Sequence, residues 1–127
     1  MRKNGQASVE FIILVALLVI IFGFFMKIAL DKAYDLRSHK EYLELKDVSS
    51  GLKNEIMTAY SVSDGYERQF KMPLVIGEYD YSISLTQGSL DASSGNHQYY
   101  LKIPPVTGQP QKGMNTIRKE NGIIYLN

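Results

Sequence analysis

Hydrophobic and polar positions follow three successive patterns along this chain. From Phe11 to Met26 no polar side chain occurs. Sixteen such residues make a helix about 24 Å long at roughly 1.5 Å per residue. Ile28, Ala29 and Leu30 carry the run to about 30 Å, the thickness of a bilayer's hydrocarbon core, and Lys27 reaches the interface along its own methylenes. Beyond Leu30 charges appear, and Ala33, Leu36, Leu43, Leu45, Val48, Leu52, Ile56 and Ala59 recur mostly at steps of three and four. No proline precedes Pro73, so the spacing predicts one helix that continues outward with an apolar stripe beneath a head domain. A coiled-coil seam is the other use of such a stripe, although no heptad is sustained. Gly23 and Ser49-Ser50-Gly51 are the points where this helix is expected to bend or unwind.

The period then shortens to two. Ser61-Val62-Ser63-Asp64-Gly65 reads as the helix end. Phe70, Met72, Leu74 and Ile76 alternate, Gly77-Glu78 reads as a turn, and Tyr79, Tyr81, Ile83 and Leu85 alternate again. These predict an antiparallel pair with one face toward a core, the first strand lying at an edge or carrying a bulge because of Pro73. Ser89–Asn96 reads as a polar loop. Tyr99, Leu101 and Ile103 read as a third strand ended by Pro104-Pro105, and 108–113 as another loop. Asn115–Glu120 and Ile123–Leu126 flank Asn121-Gly122, a strong hairpin signal.

The residues ahead of the apolar run are unusual for an ordinary signal peptide. Arg2 and Lys3 place the N-terminus on the cytoplasmic side and send the remainder outward. A secretory signal carries its small-residue cleavage site after the apolar run, yet Lys27-Ile28-Ala29-Leu30-Asp31-Lys32 has no Ala-x-Ala pattern. The small residue, Gly5, lies before the run, so a cut there leaves the hydrophobic helix on the mature chain. Glu10 stands where the membrane segment should begin, and a carboxylate at membrane depth costs several kcal/mol unless neutralised or paired.

Gly5-Gln6-Ala7-Ser8-Val9-Glu10, with basic residues ahead and an apolar run behind, resembles the class III signal peptide of archaeal type IV pilin-like proteins. The family's pattern is Gln-x-Ser-x-Glu at the start of the mature chain, matched here by Gln6, Ser8 and Glu10. The resemblance implies recognition of Arg2, Lys3, Gln6, Ser8 and Glu10 by a prepilin peptidase that cuts between Gly5 and Gln6. Glu10 becomes the fifth mature residue, and Gln6 gains an α-amine. Pairing of Glu10 with the Gln6 amine of a neighbouring subunit is what the resemblance implies for assembly. Within one helix that amine lies four residues away, so intramolecular pairing stays open.

Composition adds exclusions. The chain has 127 residues, net charge +1 and no cysteine, which removes disulfides, thiolate metal sites and cysteine nucleophiles. Loss of residues 1–5 leaves 12 basic against 13 acidic side chains, a balance that does not suggest nucleic acid. His39 and His97 lack ligand-like spacing and read as solvated, so no metal or other cofactor is expected. No phosphate loop, nucleophile elbow or metal-binding helix motif is present, and the acids of 31–55 interleave with lysines and arginine as a solvated face. No catalytic residue is assigned and the chain is not expected to be an enzyme. Among nine tyrosines, Tyr79 and Tyr81 are expected in a sheet face, whereas Tyr100 is out of phase with its strand's apolar set and is the candidate exposed aromatic for adhesion or carbohydrate. No Asn-x-Ser/Thr sequon occurs.

These readings combine into an α+β chain: a leader over residues 1–5, a transmembrane or filament-core helix over 6–30, its continuation over 31–62, and a small antiparallel head of about four or five strands over 63–127. The implied role is a structural subunit of a type IV pilus-like surface filament serving adhesion or cell–cell contact. It would be held in the membrane as a single-pass precursor and then assembled outside the cell with copies of itself and other pilins. An assembly ATPase and a membrane platform protein are implied by the resemblance alone. A single-pass anchored protein with an extracellular β binding domain, a secreted domain released by ordinary cleavage, and a minor or priming pilin are the alternatives.

Overall fold

In the computed structural model the backbone is described from Lys3 to Asn127 and side chains from Ser8 onward. The chain divides into two compact units, one ending at Ser38 and the other spanning His39–Asn127. Helix α1 (Lys3–Ser61) makes up the described part of the first unit and opens the second. Seven strands follow: β1 (Glu67–Met72), β2 (Tyr81–Thr86), β3 (Ser89–Ser94), β4 (His97–Lys102), β5 (Val106–Gly108), β6 (Gly113–Glu120) and β7 (Ile123–Leu126). The architecture is α+β.

In the second unit the helix buries Leu45, Ser49, Leu52, Ile56 and Ala59, a stripe advancing by four, three, four and three residues. This stripe shares one core with Met72, Ile76, Tyr81, Leu85, Leu90, Ala92, Ile103, Ile117, Ile124 and Leu126. The predicted stripe was too long: Leu36 and Leu43 are exposed, and burial of large apolar residues on the helix begins at Leu45. The helix also runs through Ser49-Ser50-Gly51 without a break. Ser49 donates its hydroxyl to the Leu45 carbonyl at 2.7 Å, so its buried polar atom is satisfied by the preceding turn. Gly51 lies on the exposed side.

The sheet is where expectation and structure part. The strands form two sheets, β1-β6-β7-β5 and β2-β3-β4. The first is mixed, because β5 runs parallel to β7, so neither the strand number nor the all-antiparallel head holds. The predicted pairing of 70–76 with 79–85 does not form. Pro73 removes a ladder donor and ends the first strand at Met72. That strand pairs instead with β6, Glu67 opposite Arg118 through Met72 opposite Gly113, as an edge strand. Between them 73–80 makes a tight loop closed by reciprocal Ile76–Tyr79 backbone bonds, which turns Tyr79 outward to 52% exposure while Tyr81 is buried. The expected Ser89–Asn96 loop is largely β3, the central strand of its sheet.

The predicted hairpin at Asn121-Gly122 is present, with φ of 51° and 76°, the two positive values that a type I′ turn demands. At Gly108, φ is +109° and a Cβ would lie 1.9 Å from the Leu126 carbonyl oxygen. Only glycine lets β5 approach β7 there. The two sheets are also tied by a side chain: the Leu85 amide donates to Gln109 Oε1 at 2.8 Å, and Gln109 Nε2 donates to the Leu85 carbonyl at 2.6 Å. The Gln109 amide thus supplies one rung along the outer edge of β2. Buried Asn115 does similar work inside the fold. Its Nδ2 donates to the carbonyls of Gln111 and Gly113, and its Oδ1 accepts from the Gln111 amide and from Asn127 Nδ2.

Candidate functional site

Two surfaces carry chemistry that the fold itself leaves unused. The first is the helix of the first unit. Every large apolar side chain from Val9 to Leu30 is exposed, between 40% for Val15 and 69% for Phe25. A helix's own neighbours conceal part of any side chain, so values this high mean that apolar surface is presented on every side of the helix. An 18-residue window reaches a mean hydropathy of 2.9, and the helix is long and apolar enough to cross a membrane. Each large apolar side chain gains roughly 1.5–3 kcal/mol on leaving water, so this surface is one that a bilayer's hydrocarbon core could take up.

Glu10 sits at the start of this surface, exposed and helical. Among the described residues no basic group lies within ion-pair distance of it. Ser8, two residues earlier, is also exposed and helical. Backbone placement puts Gln6 one helical turn before Glu10. Arg2 lies outside the described residues, as do the side chains of Lys3 and Gln6, and nothing about the Gly5–Gln6 bond is described beyond its helical backbone. What the described residues of the site offer is therefore a carboxylate at the head of an apolar cylinder. Among the described residues no cluster of His, Asp and Glu could hold a metal ion.

The second surface is the solvent face of β2-β3-β4. The register lines up three rows across it: Ser82–Ser93–Gln98, Ser84–Asp91–Tyr100 and Thr86–Ser89–Lys102. The opposite face holds Ile83, Leu85, Leu90, Ala92, Tyr99 and Leu101 toward the core. Ser94 on that inner face donates to Glu41 Oε1 at 2.9 Å. The Tyr42 ring meets His97 at 5.7 Å and Tyr99 edge-on at 6.1 Å. His97 is thus packed against a ring rather than simply solvated. On the outer face Ser82 and Ser93 bond each other at 2.8 Å, and Thr86 bonds Ser89. Tyr100 is 63% exposed. It borders an open trough of about 310 Å³ with Ser84, Asp91 and Gln98.

Sequence reasoning singled out Tyr100 but missed Asp91, Ser84 and Gln98. The signal was present: in Ser89–Ser94 the apolar residues Leu90 and Ala92 alternate with polar ones. Serine content and the following Gly95-Asn96 outweighed it.

Beside Tyr81, on a different edge, Lys112 pairs with Asp80. The Lys112 hydrogen bond, and then its charge, hold the Asp80 carboxyl below the usual range. Burial, with the Asp80 charge second, pushes the Tyr81 phenol up. The Tyr81 hydroxyl donates to the Pro73 carbonyl, closing the 73–80 loop.

Comparison with protein-family models, curated proteins and solved structures finds no match to this chain.

Proposed function

We propose that this chain is a structural subunit of an archaeal type IV pilus-like surface filament, held in the membrane as a precursor and polymerised after loss of residues 1–5. The observation that carries the proposal is the uncovered apolar helix with a single carboxylate at its head, placed in the Gln6-x-Ser8-x-Glu10 arrangement. A lipid anchor alone explains the apolar cylinder and leaves Glu10 as a cost. A filament interior explains both, because the α-amine created on Gln6 by cleavage is a partner that the precursor lacks.

Lipid tails are about as apolar as neighbouring helices, so transfer from bilayer to filament gains little hydrophobic energy. Side-chain packing and the Glu10–amine pair then give assembly its specificity and register. A prepilin peptidase, an assembly ATPase and a membrane platform protein are the partners this reading requires, and the mature subunit resides in an extracellular filament. Adhesion or cell–cell contact falls to the second unit, which contributes no catalytic group to the scheme.

Glu10→Leu tests it. The variant is expected to be inserted and processed as the native chain is, yet to be missing from sheared surface filaments. Normal filament incorporation of the variant would remove the basis of the proposal. The same apolar surface favours one second reading, a single-pass anchor carrying a β binding domain. That protein would keep Met1 and be indifferent to the Glu10 substitution. A minor or priming subunit would share the Gln6 terminus, and its low abundance in filaments would distinguish it.

A further inference from the structure

We infer that the solvent face of β2-β3-β4 is a binding site for a neutral saccharide, with Tyr100 as its stacking platform. Alternate residues of a strand face one side, and the outer positions of all three strands carry no aliphatic side chain. Within this grid the groups divide by how they are used. Ser82 and Ser93 satisfy each other, as do Thr86 and Ser89, which braces the two flanking rows. Along the trough that runs beside them, the side chains of Ser84, Asp91, Gln98 and Tyr100 make no hydrogen bond to any described residue. Their free groups amount to a hydroxyl, a carboxylate, an amide that both donates and accepts, and an exposed phenol ring. The small serine side chains on β2 leave the trough open beside the larger ring on β4.

The chemistry selects the occupant. A pyranose presents axial C–H groups on one face, which stack on an aromatic ring, and equatorial hydroxyls around its rim, which need in-plane donors and acceptors. Tyr100 meets the first requirement and Asp91, Gln98 and Ser84 the second. A protein partner would bring apolar anchors, and Tyr100 is the one apolar body on this face for them to meet. A polyanion would face the Asp91 carboxylate at the centre of the grid. A polycation would find that single carboxylate with Lys102 in the adjacent row. The volume of about 310 Å³ lies at the lower end of small-molecule sites, about 300–1,000 Å³, suited to one or two sugar rings. The site belongs to the single chain; it rests on the filament reading only for its biological context, and its failure would leave the Glu10 test of assembly intact.

The test uses the full chain in a zwitterionic detergent, since sugar-headed detergents would compete. Neutral trisaccharides of glucose, galactose, mannose and N-acetylglucosamine, with a sulfated trisaccharide for comparison, are titrated while backbone amide resonances are followed. At least one neutral sugar is expected to shift the amides of Ser84, Asp91, Gln98 and Tyr100 with a Kd on the order of 1 mM. Tyr100→Ala should weaken that binding by about tenfold or more, whereas Tyr100→Phe, which keeps the ring, should stay within about threefold. Tyr79→Ala, an exposed ring on the 73–80 loop, is the control and should change nothing. The inference is overturned if no neutral sugar shifts this face, if binding survives Tyr100→Ala, or if the sulfated sugar binds more tightly than its neutral analogue. Shifts of the same amides on raising protein concentration without sugar would assign the face to a second copy instead.

Discussion

Lys119 performs a task that the helix cannot perform for itself. The last turn of α1 contains no basic residue, yet its terminal carbonyls need donors and its dipole favours a cation. Lys119 reaches over from β6 and donates to the carbonyls of Tyr60 at 2.9 Å and Val62 at 2.7 Å. Lys119→Met is expected to destabilise the second unit by about 1–2 kcal/mol, the worth of charge-assisted bonds in a half-exposed setting. Urea denaturation of the detergent-solubilised chain would show it as a lower midpoint with unchanged slope. Gly108→Ala should be as harmful or worse, because the added Cβ collides with backbone rather than with a side chain that could move. Tyr81 sets a pH limit. Its raised phenol pKa means that above about pH 10 the unfolded chain releases a proton the folded chain keeps. The contribution is therefore complete below about pH 10 and lost as pH rises through the folded value. Tyr81→Phe should show a shallower fall in stability over that alkaline range when denaturation midpoints are compared.

At the scale of elements, legibility followed the strength of the local pattern. Helix α1 was readable because sixteen apolar residues followed by three- and four-residue steps admit no strand. The β6–β7 hairpin was readable because Asn121-Gly122 specifies a turn by backbone conformation alone. What failed were pairings that no local pattern encodes. The partner of β1 lies on β6, far along the chain, and is fixed by the Pro73 break and by core burial of Met72 rather than by anything near residue 80. β5 was hidden because a three-residue parallel strand depends on the close approach at Gly108. The Gln109 amide is a further non-local device, replacing a missing strand beside β2. Gln109→Ala removes both its bonds to Leu85 and should lower stability by about 1–2 kcal/mol, with amide exchange at Leu85 accelerated more than elsewhere in β2.

For the whole molecule, the first unit presents an exposed apolar helix and the second a core-bearing α+β fold with a polar outer sheet face. The proposed filament role rests on the first thirty residues, where positive charge, Gly5, the Gln6-x-Ser8-x-Glu10 spacing and an apolar run occur in order. The candidate sugar-binding face was not legible to the same degree, since it exists only once β3 joins β2 to β4 and brings Ser84, Asp91 and Tyr100 into one row. Every part of the filament account, from the new amine to the pairing of Glu10, depends on where the mature chain begins. The decisive measurement is the N-terminal mass of this chain recovered from sheared surface filaments. The account predicts a terminus at Gln6. A chain that retains Met1, or one that begins beyond Leu30, would contradict it.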